Sequence, residues 1–410
     1  MNNIDNEQKQ RVILAIADTS VYDIETSIAE LTLLVEAAGG VVVAEVIQKL
    51  QRVDSKTYIG SGKLKETIPI IEETDANVFI VDSELTASCF RNIREIIGID
   101  VVDRTMLILD IFAKNALSAE GKLQVELAQL KHRLLTLSGI GSQMSRLGGG
   151  IGTRGPGETK LETDRRHIRQ RIGYLEKTIE EIAQRRLLTR ARRKKGSIPI
   201  ISLVGYTNVG KSSLLNALTG ADVLVKDQVF ATLDSTVRRL QTGDMQEIVV
   251  VDTVGFINRL PHHLIDAFSS TLEEMVESDI IIKVASAAIE NWEQQLQVAD
   301  EMIVKMGCSD IPQIVVFNKC DLVDPSLRFP GIKVSAKTKE NLGLLLQEIE
   351  RILSERSIRG RFLIPFNKMS LIPTVREKGS IISEEYTEQG LILTATVEKE
   401  IYHLLEPYDI

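Results

Sequence analysis

The chain has 410 residues, 43% of them hydrophobic and 26% charged, with a formal net charge of −8. Such a composition predicts a globular protein of about two to four domains and excludes a collagen-like or wholly disordered chain. Its three cysteines, Cys89, Cys308 and Cys320, lie far apart without metal-ligand spacing, which argues against a disulfide framework or a zinc site. No apolar run reaches the roughly 18–20 residues that span a bilayer. The polar start MNNIDNEQKQR predicts no signal peptide. The expectation is a cytoplasmic protein, a monomer, without stable membrane insertion.

Residues 11–111 read as an α/β domain. Arg11–Asp18 (RVILAIAD), Val41–Ile47, Val78–Asp82 and the short Val101–Val102 are strand-like. Ile24–Ala38 has helical periodicity and stops at Gly39-Gly40, and a second helix is expected near Ser88–Ile97. Strands alternating with helices imply a parallel sheet.

Residues 112–195 change character. Leu123, Leu127, Leu130, Leu134 and Leu137 follow 4-3-4-3 spacing, and Ile168, Ile172, Leu175, Ile179 and Ile182 repeat it. Two such seams predict an antiparallel helical hairpin. Lys160–Lys195 carries thirteen basic and five acidic residues, a strong positive excess on an acidic chain. That asymmetry points to local contact with a polyanion.

The α/β alternation returns over residues 198–358. After the strand-like Ile198–Val204 come Gly205, Tyr206, Thr207, Asn208, Val209, Gly210, Lys211, Ser212 and Ser213, which fit G-x-x-x-x-G-K-[ST]. Glycines let successive backbone N–H groups curl around phosphate, and the following helix adds its positive N-terminus. Lys211 is expected to reach the β- and γ-phosphates, and the Ser212 hydroxyl to ligate Mg²⁺. A second strand ends in Asp252, Thr253, Val254 and Gly255: Asp252 would hold Mg²⁺ through water, and the Gly255 N–H would sense the γ-phosphate. A third ends in Asn318, Lys319, Cys320 and Asp321. The Asp321 carboxylate can accept from guanine N1–H and the exocyclic amine, which selects GTP over ATP. Asn318 and Lys319 would brace the loops, and the backbone at Ser335, Ala336 and Lys337 would meet guanine O6. Between the first two motifs lies Phe230-Ala231-Thr232-Leu233-Asp234, where Thr232 is the expected Mg²⁺ and γ-phosphate ligand, with Ser235 and Thr236 as alternatives. The order of the motifs resembles the Ras-like translation-factor GTPases.

In Ras-like proteins a glutamine after D-x-x-G orients the attacking water. Here that place holds Phe256, so slow intrinsic hydrolysis is expected. Two candidates could complete the site: Asn208, which resembles the asparagine of GTPases that hold K⁺ beside the phosphates, and a large partner that orders the switch loops.

The hairpin tip, Gly148–Thr159, contains a formal G-x-G-x-x-G at Gly150, Gly152 and Gly155, but no strand precedes it, so it is not a dinucleotide fold. Gly60-Ser61-Gly62-Lys63 lacks the rest of a phosphate loop. A glycine-rich tip with Arg146, Gly149 and Arg154, continued by Arg165, Arg166 and Arg169, is suited to a crowded RNA surface. Residues 361–410 form a small α+β appendix with strands at Ser380–Ser383 and Leu391–Val397.

G-G-G-I-G-T-R-G-P-G-E-T-K-L-E-T-D-R-R ahead of a P-loop module, with Y-I-G-S-G-K-L and G-K-L-Q-V-E-L-A-Q-L upstream and F-A-T-L-D within, is similar to the HflX family of ribosome-associated GTPases. The resemblance spans about residues 11–410. It implies an α/β N-terminal domain, a hairpin, a Ras-like domain and a small C-terminal domain. It also implies binding to the large ribosomal subunit and its rRNA, and GTP-dependent splitting of stalled or idle ribosomes. Some members are reported to hydrolyse ATP in the first domain. The alternatives are a ribosome-assembly GTPase and an ATP-driven RNA remodeller.

Overall fold

A computed structural model describes residues 9–21, 23–144, 156–194, 198–220, 230, 236–241, 247–259 and 274–410. Two compact units emerge. Among the described residues, the first takes 9–179 with Phe230 and Arg259, and the second takes 180–220, 236–258 and 274–410.

The first unit holds a four-stranded parallel sheet of β1 (Arg11–Asp18), β2 (Val41–Lys49), β3 (Val78–Val81) and β4 (Asp100–Asp103), in the order β2-β1-β3-β4. β1 is buried along most of its length, as its unbroken apolar run requires of a central parallel strand. Helices α1 (Ile24–Ala38), α2 (Ser61–Thr74), α3 (Ala87–Ile97) and α4 (Arg104–Asn115) connect and cover the strands. Asp23 caps α1 by accepting from the Thr26 N–H, and Gly39 ends it at φ +91°, where a side chain would be strained. Ile13, Leu64, Phe79 and Ile93 are fully buried in the core, each stabilising the fold by about 1.5–3 kcal/mol. The strand order reverses beside β1, so the carboxyl ends of β1 and β3 flank the crevice where open α/β sheets place ligands.

The hairpin is α5 (Ala119–Met144) and α6 (Pro156–Lys194). Leu127, Ile168 and Leu175 are buried, and the rest of both predicted seams is half-buried where described. Arg171 donates twice to Glu126, at 2.7 and 2.9 Å, and Arg165 donates to the Leu137 carbonyl at 2.9 Å. α5 has a second buried face, with Gln124, Val125, Ala128 and His132, in the same unit as α3 and α4 that it packs against.

The second unit is a six-stranded sheet in the order β10-β9-β8-β5-β7-β6. Its strands are β5 (Ile200–Gly205), β6 (Thr236–Gln241), β7 (Glu247–Asp252), β8 (Ile280–Ser286), β9 (Gln313–Asn318) and β10 (Ile332–Lys333). All pairings are parallel except β6 with β7, which is the Ras-like arrangement. α7 (Lys211–Thr219), α8 (Trp292–Lys305) and α9 (Leu342–Arg356) flank it. The same unit ends in an antiparallel sheet of β11 (Ser357–Ile364), β13 (Gly390–Glu398) and β12 (Gly379–Thr387), with α10 (Leu371–Lys378) and α11 (Lys399–Leu405). β11 begins at Ser357 and pairs along its whole length with β13. The C-terminal layer therefore starts ahead of residue 361, and a GTPase boundary at 358 cuts this strand. Gly360 with Ser357, Arg359 and Arg361 leaves only Phe362, Leu363 and Ile364 as an apolar run, so the first half of β11 takes its strand character from pairing.

Candidate functional site

In the parallel sheet β7 lies beside β5, and β9 lies on the other side of β5 across β8, so the loops at their carboxyl ends leave the same edge of the sheet. The chain leaves β5 through Gly205 at φ +154° and turns at Asn208 (φ +60°) and Gly210 (φ +88°) before α7 begins at Lys211. Only glycine suits two of these turns. A Cβ on Gly205 would lie 2.1 Å from the Val284 carbonyl oxygen, and one on Gly210 would lie 2.4 Å from Asn318 Nδ2. The result is a tight loop feeding a helix N-terminus, an anion cradle by its backbone alone.

Lys211 is buried in that cradle. Its ammonium donates to the carbonyls of Gly205 and Tyr206, both at 3.1 Å. Burial pulls it down to about 8, opposed by the Asp252 carboxylate. Ser212 donates from Oγ to Asp252 Oδ2 at 2.5 Å. Asp252 is fully buried at the end of β7. A hydroxyl and a carboxylate touching beside the phosphate loop form an all-oxygen donor pair, the chemistry a Mg²⁺ ion takes.

The third loop braces the first. Asn318 donates from Nδ2 to the carbonyls of Val209 (2.9 Å) and Gly210 (3.3 Å), while its Oδ1 accepts from the Ala336 N–H at 3.0 Å. Lys319, held at φ +64°, donates to the Asn208 carbonyl at 2.8 Å. Asp321 Oδ1 accepts from Ser335 Oγ at 2.7 Å, and the same hydroxyl accepts from the Thr338 N–H. The Ser335 hydroxyl thus orients the carboxylate expected to read guanine, a role the sequence reading gave only to the backbone there.

Gly255 packs against the phosphate loop. A Cβ there would meet Thr207 Cγ2 at 2.7 Å and Lys211 Nζ at 3.1 Å. Thr253 donates from Oγ1 to the Leu203 carbonyl and is fully buried, and Val254 is buried beside it. Phe256, at the glutamine's place, is 3% exposed. Its backbone is what serves the site: its N–H donates to Gly205 O at 3.0 Å, and its carbonyl accepts from the Thr207 N–H at 2.7 Å. Tyr206 adds a clasp, its hydroxyl accepting from the Asn258 N–H at 2.9 Å. Sequence reasoning missed this bridge because it judged Phe256 by its ring.

The structure therefore brings together Gly205–Ser213, Asp252–Gly255, Asn318–Asp321 and Ser335–Lys337 in one unit. Phe230 is described and falls in the other unit, whereas Ala231, Thr232, Leu233, Asp234 and Ser235 lie outside the described residues. Thr236, the alternative, opens β6 opposite Asp252. Of the RNA-facing candidates, Arg146, Gly149, Gly150, Gly152, Arg154 and Gly155 also lie outside them. Arg166 and Arg169 are exposed on α6, and Arg165 is half-buried against α5. Among the described residues no helix is long and apolar enough to cross a membrane.

Three family models match the chain in series: GTP-binding GTPase N-terminal over residues 25–113, GTP-binding GTPase middle region over 115–193, and 50S ribosome-binding GTPase over 200–319. The chain is 46% identical over 404 residues to the GTPase HflX of Caldanaerobacter subterraneus subsp. tengcongensis, covering 98% of this chain and 94% of that protein. It is 40% identical over 393 residues to the GTPase HflX of Escherichia coli, covering 94% and 92%. Among solved structures, a GTP-binding protein from Sulfolobus solfataricus in complex with GDP is 28% identical, covers 84% of this chain and 99% of that one, and gives a TM-score of 0.45.

Proposed function

Because the chain belongs to the HflX family of GTPases, we propose that it hydrolyses GTP on the large ribosomal subunit and uses the nucleotide cycle to split stalled or idle ribosomes. The reading rests above all on one observation: Asn318 and Lys319 hold the loop that ends in Lys211 from behind, so base recognition and phosphate recognition form one braced body. Lys211 would exchange its two carbonyl partners for phosphate oxygens. Asp321, oriented by Ser335, would accept from the guanine edge, while adenine presents the wrong groups. Ser212, Asp252 and Thr232 would hold a Mg²⁺ ion, which when bound neutralises phosphate charge. The Phe256 ring cannot hydrogen-bond water, so water placement falls to backbone groups, to a K⁺ ion beside Asn208, or to the ribosome.

The charged hairpin supplies the RNA contact. Arg166 and Arg169 are free to meet phosphates, and the tip with Arg146, Gly149, Gly150, Gly152, Arg154 and Gly155 would enter rRNA near the peptidyl-transferase region. Directional use of GTP requires that the GTP and GDP states bind ribosomes with different affinity.

Sedimentation of mature ribosomes with the protein and GTP, GDP or a non-hydrolysable analogue tests this. Splitting with GTP and retention with the analogue are expected. Identical partition in all three conditions refutes the proposal, and association with immature particles alone favours an assembly role. Turnover in K⁺ and in Na⁺, each with and without ribosomes, decides what completes the site: equal rates in all four rule out both candidates.

A further inference from the structure

The parallel sheet of the first unit has two unlike edges. β4, at one of them, is four residues long with Asp100 and Asp103 at its ends, a short and charged edge that discourages further pairing. β2, at the other, is nine residues long and reads VVVAEVIQK. A long edge strand rich in β-branched residues is a template for another strand. The inner face of β2 is held in place: Val46 is buried in the core, and Gln48 Oε1 accepts from the Gly60 N–H at 2.7 Å. Its other face carries Glu45, Ile47 and Lys49, all exposed, with Ile47 at 39%.

The bonds that β2 already makes fix which way its backbone points. In a strand the N–H and C=O of one residue point to the same side, and successive residues alternate sides. The Leu50 N–H donates to the Asp18 carbonyl at 2.8 Å, continuing a ladder whose register is regular from Ala44 to Lys49. Ala44, Val46 and Gln48 share the parity of Leu50 and turn their backbone groups toward β1. Glu45, Ile47 and Lys49 therefore turn theirs to the open edge. Among the described residues, nothing bonds to those outward backbone groups, and neither Glu45 nor Lys49 is in an ion pair. The edge thus offers three outward residues at even spacing: a carboxylate, an apolar side chain and an ammonium.

We propose that this edge is a docking surface for the same edge of a second copy of the chain, the two β2 strands running antiparallel about a two-fold axis beside Ile47. Glu45 of each copy lies opposite Lys49 of the other only when the axis passes the residue midway between them, which is Ile47. Every outward residue then meets an outward residue, the arrangement in which antiparallel partners exchange both N–H···O bonds. Ile47 packs on Ile47 of the second copy between two symmetric ion pairs. An axis at Glu45 or at Lys49 would oppose like charges, and one at Val46 or Gln48 leaves Glu45 without its lysine. The two charges therefore select one register instead of blocking the edge. A contact made by one strand from each copy is small, so the dimer is weak and reversible. It takes the place of the expected monomer.

Sedimentation velocity of the full chain, over a series reaching its highest soluble concentration, reads the dimer. The samples are wild type, E45K, K49E, the double variant E45K/K49E, and an equimolar mixture of E45K with K49E. Both positions are exposed, so these variants are expected to fold, and their thermal transitions check this. Wild type should associate reversibly. E45K alone and K49E alone oppose like charges at both symmetric pairs, and each should associate at least about tenfold more weakly. The double variant and the mixture restore opposite charges, and both should recover to within about threefold of wild type. Recovery in the mixture is the outcome that a merely damaged strand cannot produce. Hydrogen exchange of the wild-type peptide covering residues 44–50 should slow as concentration rises, a readout that needs no variant. A wild type that stays monomeric throughout the series overturns the proposal. So does a dimer that E45K and K49E leave intact, one that the mixture fails to restore, or one whose formation leaves exchange over residues 44–50 unchanged.

Discussion

At the scale of single residues, Lys211 is a cation held out of water. Burial has lowered it to about 8, because an ammonium removed from water is compensated there only by carbonyl dipoles and by Asp252. A triphosphate placed against it supplies the missing negative charge and raises it again. Above about pH 8 the free protein therefore holds this lysine mostly neutral, and binding must draw in a proton. Calorimetry of GTP binding at pH 8.5 in two buffers of different ionisation enthalpy should register proton uptake that vanishes near pH 6.5, where Lys211 is already charged. K211A should show no uptake at either pH, beyond its loss of affinity. Asp321 offers a second test. Its carboxylate is oriented by Ser335 and would accept two hydrogen bonds from guanine. D321N replaces one acceptor oxygen with a donor, which guanine's N–H edge repels. Hydrogen bonds to charged groups contribute about 1.5–3 kcal/mol each, so GTP affinity should fall by about a hundredfold or more. Xanthine nucleotides, which present a carbonyl in place of the amine, should bind D321N in preference to wild type; competition binding measures both.

At the scale of elements, a buried pair helps to join the hairpin to its neighbours. His132, on the inner face of α5, has Nε2 at 3.2 Å from Asp103 Oδ2, and Asp103 also caps α4 by accepting from the Met106 N–H. Burial pushes the imidazole down, but the Asp103 hydrogen bond and charge, with Glu84 behind them, outweigh it and leave His132 raised. A raised histidine contributes stability that is fully present below its unfolded value of about 6.5 and is lost as pH climbs through the folded value. The stability difference between wild type and H132Q, from urea unfolding, should therefore be largest near pH 5.5 and shrink toward pH 8. A difference that grows with pH would contradict the assignment. This second face of α5 was invisible in the heptad seam, because Gln124 and His132 are polar letters at buried positions. α2 was hidden for a related reason: Gly62 and Pro69 sit inside it, and the run was read only as a failed phosphate loop. The strands that were legible, β1 and β5, are parallel strands buried along most of their length, whose apolar runs admit few other placements. The phosphate loop was equally legible, since its glycines answer to local geometry. The Asp103–His132 pair was not: its partners are 29 positions apart, and nothing local marks one for the other.

At the scale of the whole molecule, charge is distributed against its own sum. The chain carries 57 acidic and 49 basic residues, yet the stretch Lys160–Lys195 is strongly positive. An acidic body repels RNA at long range while a basic helix attracts it, so attraction survives only where the helix leads. Physiological salt screens charges beyond about 8 Å, which leaves the local helix dominant at contact. Phosphate contacts release bound counterions, and the logarithm of affinity falls with the logarithm of salt by somewhat under one unit per contact. Arg166 and Arg169 are exposed on α6, and Arg169 carries no ion pair among those described, whereas Arg171 is already committed to Glu126. R166A/R169A should therefore lower ribosome affinity and flatten the salt slope by about one to two units, with GTP turnover in the absence of ribosomes unchanged. R171A should weaken the hairpin's packing more than its salt slope. Filter binding across a potassium chloride series separates the two. Equal slopes in wild type and R166A/R169A would place the RNA-binding charge elsewhere on the chain.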